Sequence, residues 1–424
     1  MKARMLQVMI TLTVVCTMAR ASDWCGADEN SKAATGNWDS DGKPGWNGTG
    51  VPNGQGAVAR FCSTSKNAVV QNLTDGVTVG SVLLDLPSNS DKHLEIGGQK
   101  TVTGPLTFDQ DGSGPLSVVV SNGAARARLG FATTAPVTLQ DDVLFINTTS
   151  TNYYRTFSIQ LTAPIHGQGN VTLDNAINDP LNAPIVLSSA SSTFEGTVLV
   201  RRGCAKFINQ KACGPRDNPV ILGAEGFGDA TICFEGSAMT FWNPIKVSRV
   251  TSGRLRIFGE VTAAEVKTSC TLTFRGNITL NGDVVFDIPL VLNPDYAQYT
   301  NVTYVIGQIS GDGALIKEND GSLVLQNTGN TYTGGTVLKS GTLSLASNVT
   351  LGTGALDVYP DARLNLASDV TVKSLSIGGR MQRKGVYAAA DSVEAGVTKV
   401  AWLIGAGKLT ATEGKPSGMM IILR

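Results

Sequence analysis

The sequence predicts an all-β chain built as a stack of short coils, a parallel β-solenoid, and three observations carry that expectation. Apolar stretches of about 4 to 8 residues, rich in Val, Thr, Leu and Ile, recur about every 8 to 12 residues between clusters of Gly, Asn, Asp, Ser and Pro. Val77–Leu84 and Val284–Ile288 are examples. No window of helical length carries a sustained i, i+3, i+4 apolar stripe, and the best helical candidate, residues 387–396, is short. A gapless internal repeat sets Thr193–Gly203 against Thr331–Gly341, and each copy follows an Ile-x-Gly-x-Gly, at Ile165–Gly169 and Ile309–Gly313. A coil of ~20–25 residues cannot bury its apolar face alone, whereas stacked neighbours cover it.

Composition narrows the class. The chain has 424 residues, 48 of them Gly, with 34 basic and 34 acidic side chains and two His. A hydrophobic share of 42% excludes wholesale disorder, and Gly without a three-residue period excludes collagen. Zero formal charge without a long run of one sign argues against nucleic-acid binding through phosphate neutralisation. After residue 21 no apolar run is long enough for a membrane-spanning helix.

The elements follow in order. Residues 1–21 have the pattern of a secretory signal peptide: Lys2 and Arg4, an apolar stretch from Met5 to Met18, and Ala19-Arg20-Ala21 before Ser22. Residues 22–65, polar and rich in Trp, Gly and Asn, are the expected N-terminal cap. Residues 66–424 are the expected solenoid, clearest at 309–366 and degenerate at 165–207. Its second half alternates inward and outward through Leu343, Leu345, Leu356, Val358, Leu364 and Leu366. Met419–Leu423 is the expected last strand. At ~4.8 Å per coil, roughly 16–20 coils would form a rod of the order of 80–90 Å, expected to be monomeric.

Once the leader is removed six cysteines remain: Cys25, Cys62, Cys204, Cys213, Cys233 and Cys270. An even number in an exported chain favours disulfides, with several connectivities open. Proximity in sequence favours Cys25–Cys62 closing the cap, Cys204–Cys213 across a corner and Cys233–Cys270 between nearby coils.

Motifs for chemistry are scarce, and the sequence assigns no catalytic, metal-binding or cofactor residue. Gly405–Thr410 only faintly resembles a phosphate loop, because Trp402 stands where a Gly is required and Leu409 where a Ser or Thr belongs. Asp109-Gln110-Asp111 starts like a calcium loop but has Val120 at the position of the ligating Glu. His93 and His166 are isolated. Asp109/Asp111, Asp141/Asp142 and Arg254/Arg256 are the nearest approach to the carboxylate and cation clusters of polysaccharide-cleaving β-helices, and they read more simply as solvated turn and strand-face charges. Seven Asn-x-Ser/Thr sites, at Asn47, Asn72, Asn147, Asn170, Asn277, Asn301 and Asn348, read as turn chemistry.

The stretch Ile309–Leu366 resembles the autotransporter-associated β-strand repeat. Asn330-Thr331-Tyr332-Thr333-Gly334-Gly335-Thr336, Gly341-Thr342-Leu343 and Leu351-Gly352-Thr353-Gly354 carry the likeness, joined by Gly36-Asn37-Trp38 and Val51-Pro52-Asn53 in the N-terminal part. The resemblance implies a single right-handed parallel β-helix of an exported bacterial passenger, without the C-terminal translocator barrel, for which residues 345–424 are too few. It further implies a secreted or cell-surface protein with a structural, adhesive or ligand-binding role, with cell-surface components or glycans as partners and no nucleic acid. A carbohydrate-active β-helix enzyme, a lyase or glycoside hydrolase, is the alternative. Clustered carboxylates and cations on one face would favour it.

Overall fold

A computed structural model describes residues 22–25, 33–36, 38, 45–47, 50–61, 67–70, 75–85, 93–96, 104–110, 112, 116–121, 126–129, 136–148 and 158–415, the last with breaks at 237, 261–269 and 290–300. Among these residues every regular element is a strand. The expected leader, Cys62 and Met419–Leu423 lie outside the described residues.

The strands stack as parallel, in-register ladders. The longest begins at Ala33–Gly36 and passes through Asn67–Val70, His93–Ile96, Arg126–Leu129, Ile159–Leu161, Ile185–Leu187 and the second half of Val198–Phe207. It continues through Ala230–Glu235, Leu255–Glu260, Val284–Asp287, Leu315–Glu318, Thr336–Leu338 and Leu356–Val358 to Val370–Ile377. A second ladder runs from Ser22–Cys25 through Val198–Phe207 to Ile309–Gly311. A third side comprises Val77–Val79 to Ile165–Gly167 in the first half and Ala238–Phe241 to Leu403–Ile404 in the second. The arrangement is that of a parallel β-helix.

Coil length departs from the expectation. The longest ladder has fourteen described strands, fewer than 16–20, because early coils are long: the step from Leu94 to Ala127 takes 33 residues, and that from Phe286 to Lys317 takes 31. Other coils take 20, as from Ile185 to Ala205 and from Leu338 to Val358. Coil length thus changes without disturbing the register of the described ladders.

In-register stacking turns alternation into columns. Val143, Val171, Val198, Val220, Ile245, Ile278 and Ile309 lie one above another, each at most 1% exposed. β-branched residues suit such columns, since each packs on both neighbours across the strand spacing. Phe207, Phe234, Phe241, Phe274 and Phe286 add an aromatic run with centroids 5.0–6.3 Å apart. Inside one corner, Asn147 donates to Asn175 at 2.8 Å, and Asn175 donates to the carbonyls of Ala183 and Cys204, both at 3.0 Å. At the N-terminal end Trp24, Trp38, Trp46 and Phe61 pack edge-to-face and tilted over the first rung. There Ser22–Cys25 pairs antiparallel with Gly45–Asn47 on one side and parallel with Val58–Phe61 on the other.

The repeat read from sequence corresponds to equivalent backbone. Gly203 and Gly341, aligned without a gap, both have φ +67°, and a Cβ on either would run into carbonyls of the coil below. Phe194 and Tyr332, at matching positions, are both fully buried. The amides of Thr193 and Thr331 both bond 2.8 Å to an Ile carbonyl one rung below, of Ile165 and Ile309. The helical expectation for 387–396 fails: Gly385–Ala389 is a strand pairing antiparallel with Leu409–Glu413 and parallel with Thr398–Val400. In this mixed sheet the strand has a neighbour on each side, and Ala388 and Ala389 are buried.

Candidate interaction surface

With apolar side chains turned inward, alternate residues of each strand face out, and several of these on the longest and second ladders and their adjoining corners are charged. They neutralise one another from rung to rung. Asp174, 1% exposed, takes ion pairs from both Arg201 and Arg202 of the next rung. Lys206 reaches Glu235 at 3.2 Å, and Arg256 reaches Asp287 at 3.1 Å. Arg254 spans two rungs to Glu318, which Lys339 meets from the other side at 2.9 Å. Burial opposes ionisation of Glu318, but the Lys339 hydrogen bond and the Arg254 charge outweigh it and hold its pKa below the ordinary value. Of the two arginines read as solvated charges, Arg254 stays about half exposed while ion-paired, and Arg256 is ion-paired and largely buried.

The turn carboxylates have a similar fate. An Asp141 oxygen accepts the Gln110 amide at 2.8 Å, and an Asp142 oxygen accepts the Asn170 amide at 2.8 Å and its side chain at 2.9 Å. Asp109 accepts from Gln55, while Asp111 lies outside the described residues. The same device recurs at Asp229, Asp283 and Asp369, each accepting a backbone amide of the next coil at 2.7–2.9 Å. These carboxylates cap corners, as an Asx turn does, but across the coil spacing. Two of the Asn-x-Ser/Thr asparagines do likewise: Asn170 accepts the Thr197 amide and Asn277 the Gln308 amide. Asn147 and Asn301 are buried. His166 Nδ1 lies 2.9 Å from the Thr193 hydroxyl. Lys408 of the faint phosphate loop is held by Glu394 at 3.0 Å and by Asp369 at 3.7 Å, and the Glu394 hydrogen bond raises its pKa. Its ammonium is already answered by two carboxylates.

The cysteines do not sit as sequence proximity suggested. Cys204 faces outward from Val198–Phe207, whereas Cys213 lies in the main apolar core, where burial pushes its thiol pKa up. The sulfur beside Cys233 belongs to Cys204, at 2.7 Å. Cys270 precedes the strand Thr271–Phe274 on the third side, and burial raises its pKa as well. The side chain of Cys25 and all of Cys62 lie outside the described residues, so the cap pairing does too.

One cluster of cations is left open to solvent. At the corner leading into the second ladder, successive coils place Arg216, Trp242 and Arg275 in a column. The Arg216 guanidinium lies 3.8 Å from the Trp242 ring centroid and that of Arg275 lies 5.0 Å from it, on an indole that is half-buried. Beneath, Asn243 donates to the carbonyls of Pro215 and Asn218, which fixes the corner backbone. Among the described residues neither Arg216 nor Arg275 pairs with a carboxylate. Stacking on the indole orders both guanidiniums and leaves their N–H edges outward. The arrangement can accept carboxylate or sulfate groups about two coil spacings apart. The sequence carried a faint signal for it: each residue stands three or four positions before the first apolar residue of its rung, Val220, Ile245 or Ile278. The coil lengths that align them differ, so the signal could not be read beforehand.

Among the described residues no helix is long and apolar enough to cross a membrane. No known protein family matches the chain, and neither does any solved structure. A stretch of 118 residues is 37% identical to the "Adhesin BmaC autotransporter" of Brucella suis biovar 1 (strain 1330). That stretch covers 26% of this chain and 3% of the relative, so the likeness spans only a small part of the relative's length.

Proposed function

We propose that this protein is an exported, right-handed β-solenoid with an adhesin-like role at the cell surface, acting by binding and without turnover. The single observation that carries the reading is the 37% identity to a segment of an autotransporter adhesin, falling on a chain whose strands stack in parallel. Handedness follows the strong preference of parallel crossovers for the right hand. The residues first considered for polysaccharide cleavage are engaged in capping and ion pairing, which favours a binding surface over a cleft with free acid and base groups.

The partner chemistry follows from the open corner. Arg216 and Arg275 flanking Trp242 suit an acidic surface polysaccharide, whose carboxylates meet the guanidiniums while sugar rings rest on the exposed indole edge. An array of uronate-bearing, sulfated and neutral glycans tests this. Binding should be confined to the acidic members, fall with salt, and weaken about tenfold or more in the Arg216→Ala/Arg275→Ala double variant. Equal binding of neutral glycans, or an unaffected double variant, would refute the assignment.

A further inference from the structure

We infer that Cys204 and Cys233 form an inter-coil disulfide site, a covalent link between adjacent rungs in the middle of the stack. Cys204 pairs in register with Thr231, and Cys233 with Lys206, so the two cysteines are diagonal neighbours on adjacent parallel strands and share the outward face. Their sulfurs lie 2.7 Å apart, less than an ångström beyond an S–S bond of ~2.0 Å. Both are fully buried although they face outward, and with Phe258 of the next rung they form a small apolar cluster separate from the main core. The backbone holding them is fixed: the Cys204 amide donates to the Ile177 carbonyl at 2.9 Å, and the Cys204 carbonyl accepts from Asn175 at 3.0 Å.

The chemistry is thiol–disulfide exchange. One thiolate attacks a donor disulfide, of the kind carried by oxidoreductases of oxidising compartments or by oxidised glutathione, and forms a mixed disulfide. The second thiolate displaces the donor's remaining sulfur. Two cysteine thiols become one disulfide, the donor disulfide becomes two thiols, and the two protons released from the cysteines end on the donor sulfurs. Because both sulfurs are enclosed in the finished stack, exchange occurs while the coils are still closing. The link joins positions 29 residues apart and spans one coil step, so it opposes separation of these two rungs. Cys213, enclosed in the main core with its pKa pushed up by burial, takes no part.

The test uses the whole chain in two preparations. The first is refolded from the reduced state in a glutathione redox buffer. The second is recovered from cells that express the chain with residues 1–21 in place. Both are digested without reductant and mapped by mass spectrometry. The refolded preparation should yield a peptide containing Cys204 joined to one containing Cys233, with Cys213 alkylated as a thiol after unfolding. Amide exchange in Ala230–Glu235 should slow by roughly a hundredfold or more relative to the Cys204→Ser/Cys233→Ser variant. Alkylation of both Cys204 and Cys233 in the unreduced, refolded protein, or a link from either to another cysteine, would overturn the inference. A linked refolded sample beside an unlinked cellular one would uphold the site and refute the export on which the proposed function rests.

Discussion

Lys317 occupies a place made for an apolar residue, and replacing it gives the sharpest energetic prediction. Its register partners are Phe286 below and Leu338 above, both fully buried, so it stands inside the column that holds Ile232 and Ile257 three and two rungs earlier. Its side chain is fully enclosed, and its ammonium donates to the carbonyls of Glu318 at 2.7 Å, Asn319 and Ser340 at 3.4 Å. Those carbonyls belong to corners where Asn319 takes a left-handed φ of 61° and cannot turn them to solvent. Burial lowers the lysine pKa from 10.5 to about 8, against the pull of Asp287, Asp320 and Glu318. Between pH 8 and 10.5 the unfolded chain therefore binds more protons at this site than the folded one, and stability rises with pH across that window. The drop corresponds to roughly 3 kcal/mol of stability absent at neutral pH and regained by pH 10.5. Lys317→Met removes this rise. At pH 7 the variant escapes the cost of the buried cation but takes the donor from the Asn319 and Ser340 carbonyls at about 1–3 kcal/mol each, while that of Glu318 still accepts the Ile288 amide at 3.3 Å, so its net change is a destabilisation of a few kcal/mol or less. Tyr332 and Cys213 act in the opposite sense, because burial raises both pKa values and their unfolded counterparts ionise first as pH rises. Their contribution is common to both proteins and cancels in the difference. Urea unfolding followed by circular dichroism at several pH values from 7 to 10.5 measures it. Wild-type stability minus variant stability should climb by about 3 kcal/mol over that range. Parallel pH profiles would refute the buried-ammonium account.

Three further substitutions probe the stack. Gly341→Ala must place a Cβ at φ +67° against the carbonyls of Asn319 and Gly321, and thermal unfolding should show a loss of at least ~2 kcal/mol. Asn175→Ala removes the donor to two corner carbonyls and the acceptor for Asn147, for a loss of about 2–4 kcal/mol with exchange protection falling first around Ile185–Leu187. Asp174→Asn leaves Arg201 and Arg202 without their common carboxylate and should cost about 3 kcal/mol, whereas breaking the exposed Arg249–Asp312 pair should cost under ~1 kcal/mol.

Strand periodicity and the internal repeat were legible because stacking imposes them locally. Gly203 and Gly341 recur for one steric reason, and Phe194 and Tyr332 because each plugs the interior one rung above an Ile-x-Gly-x-Gly, although on different sides of the stack. Coil count was not legible, because corner length is nearly free of the ladder's constraints and varies from about twenty to more than thirty residues between partners such as Leu338–Val358 and Leu94–Ala127. Contacts between coils stayed hidden for the same reason. Cys204 meets Cys233 and not Cys213 because the strand directs side chains to alternate faces and the register, set by an unreadable corner, decides which rung position lies beside which. Lys317 was invisible in its alternating run, since only the structure shows that its outward-looking charge points inward. The open Arg216–Trp242–Arg275 column likewise depends on three coils of different length arriving at one corner.

The central claim is that each coil adds one strand spacing along a single axis, whatever its length in residues. Nitroxide labels on amino acids introduced at exposed corner positions Glu195, Thr333 and Thr353 measure it directly by pulsed electron resonance. Glu195 stands above the third side, before the second-ladder half of Val198–Phe207, whereas Thr333 and Thr353 stand in one column before longest-ladder strands, five and six rungs further along. The account predicts an axial rise of roughly 24 Å for Glu195–Thr333 and 29 Å for Glu195–Thr353, so both backbone separations exceed these values and the second is the longer. Equal distances, or a Glu195–Thr353 pair closer than Glu195–Thr333, would contradict the parallel stack.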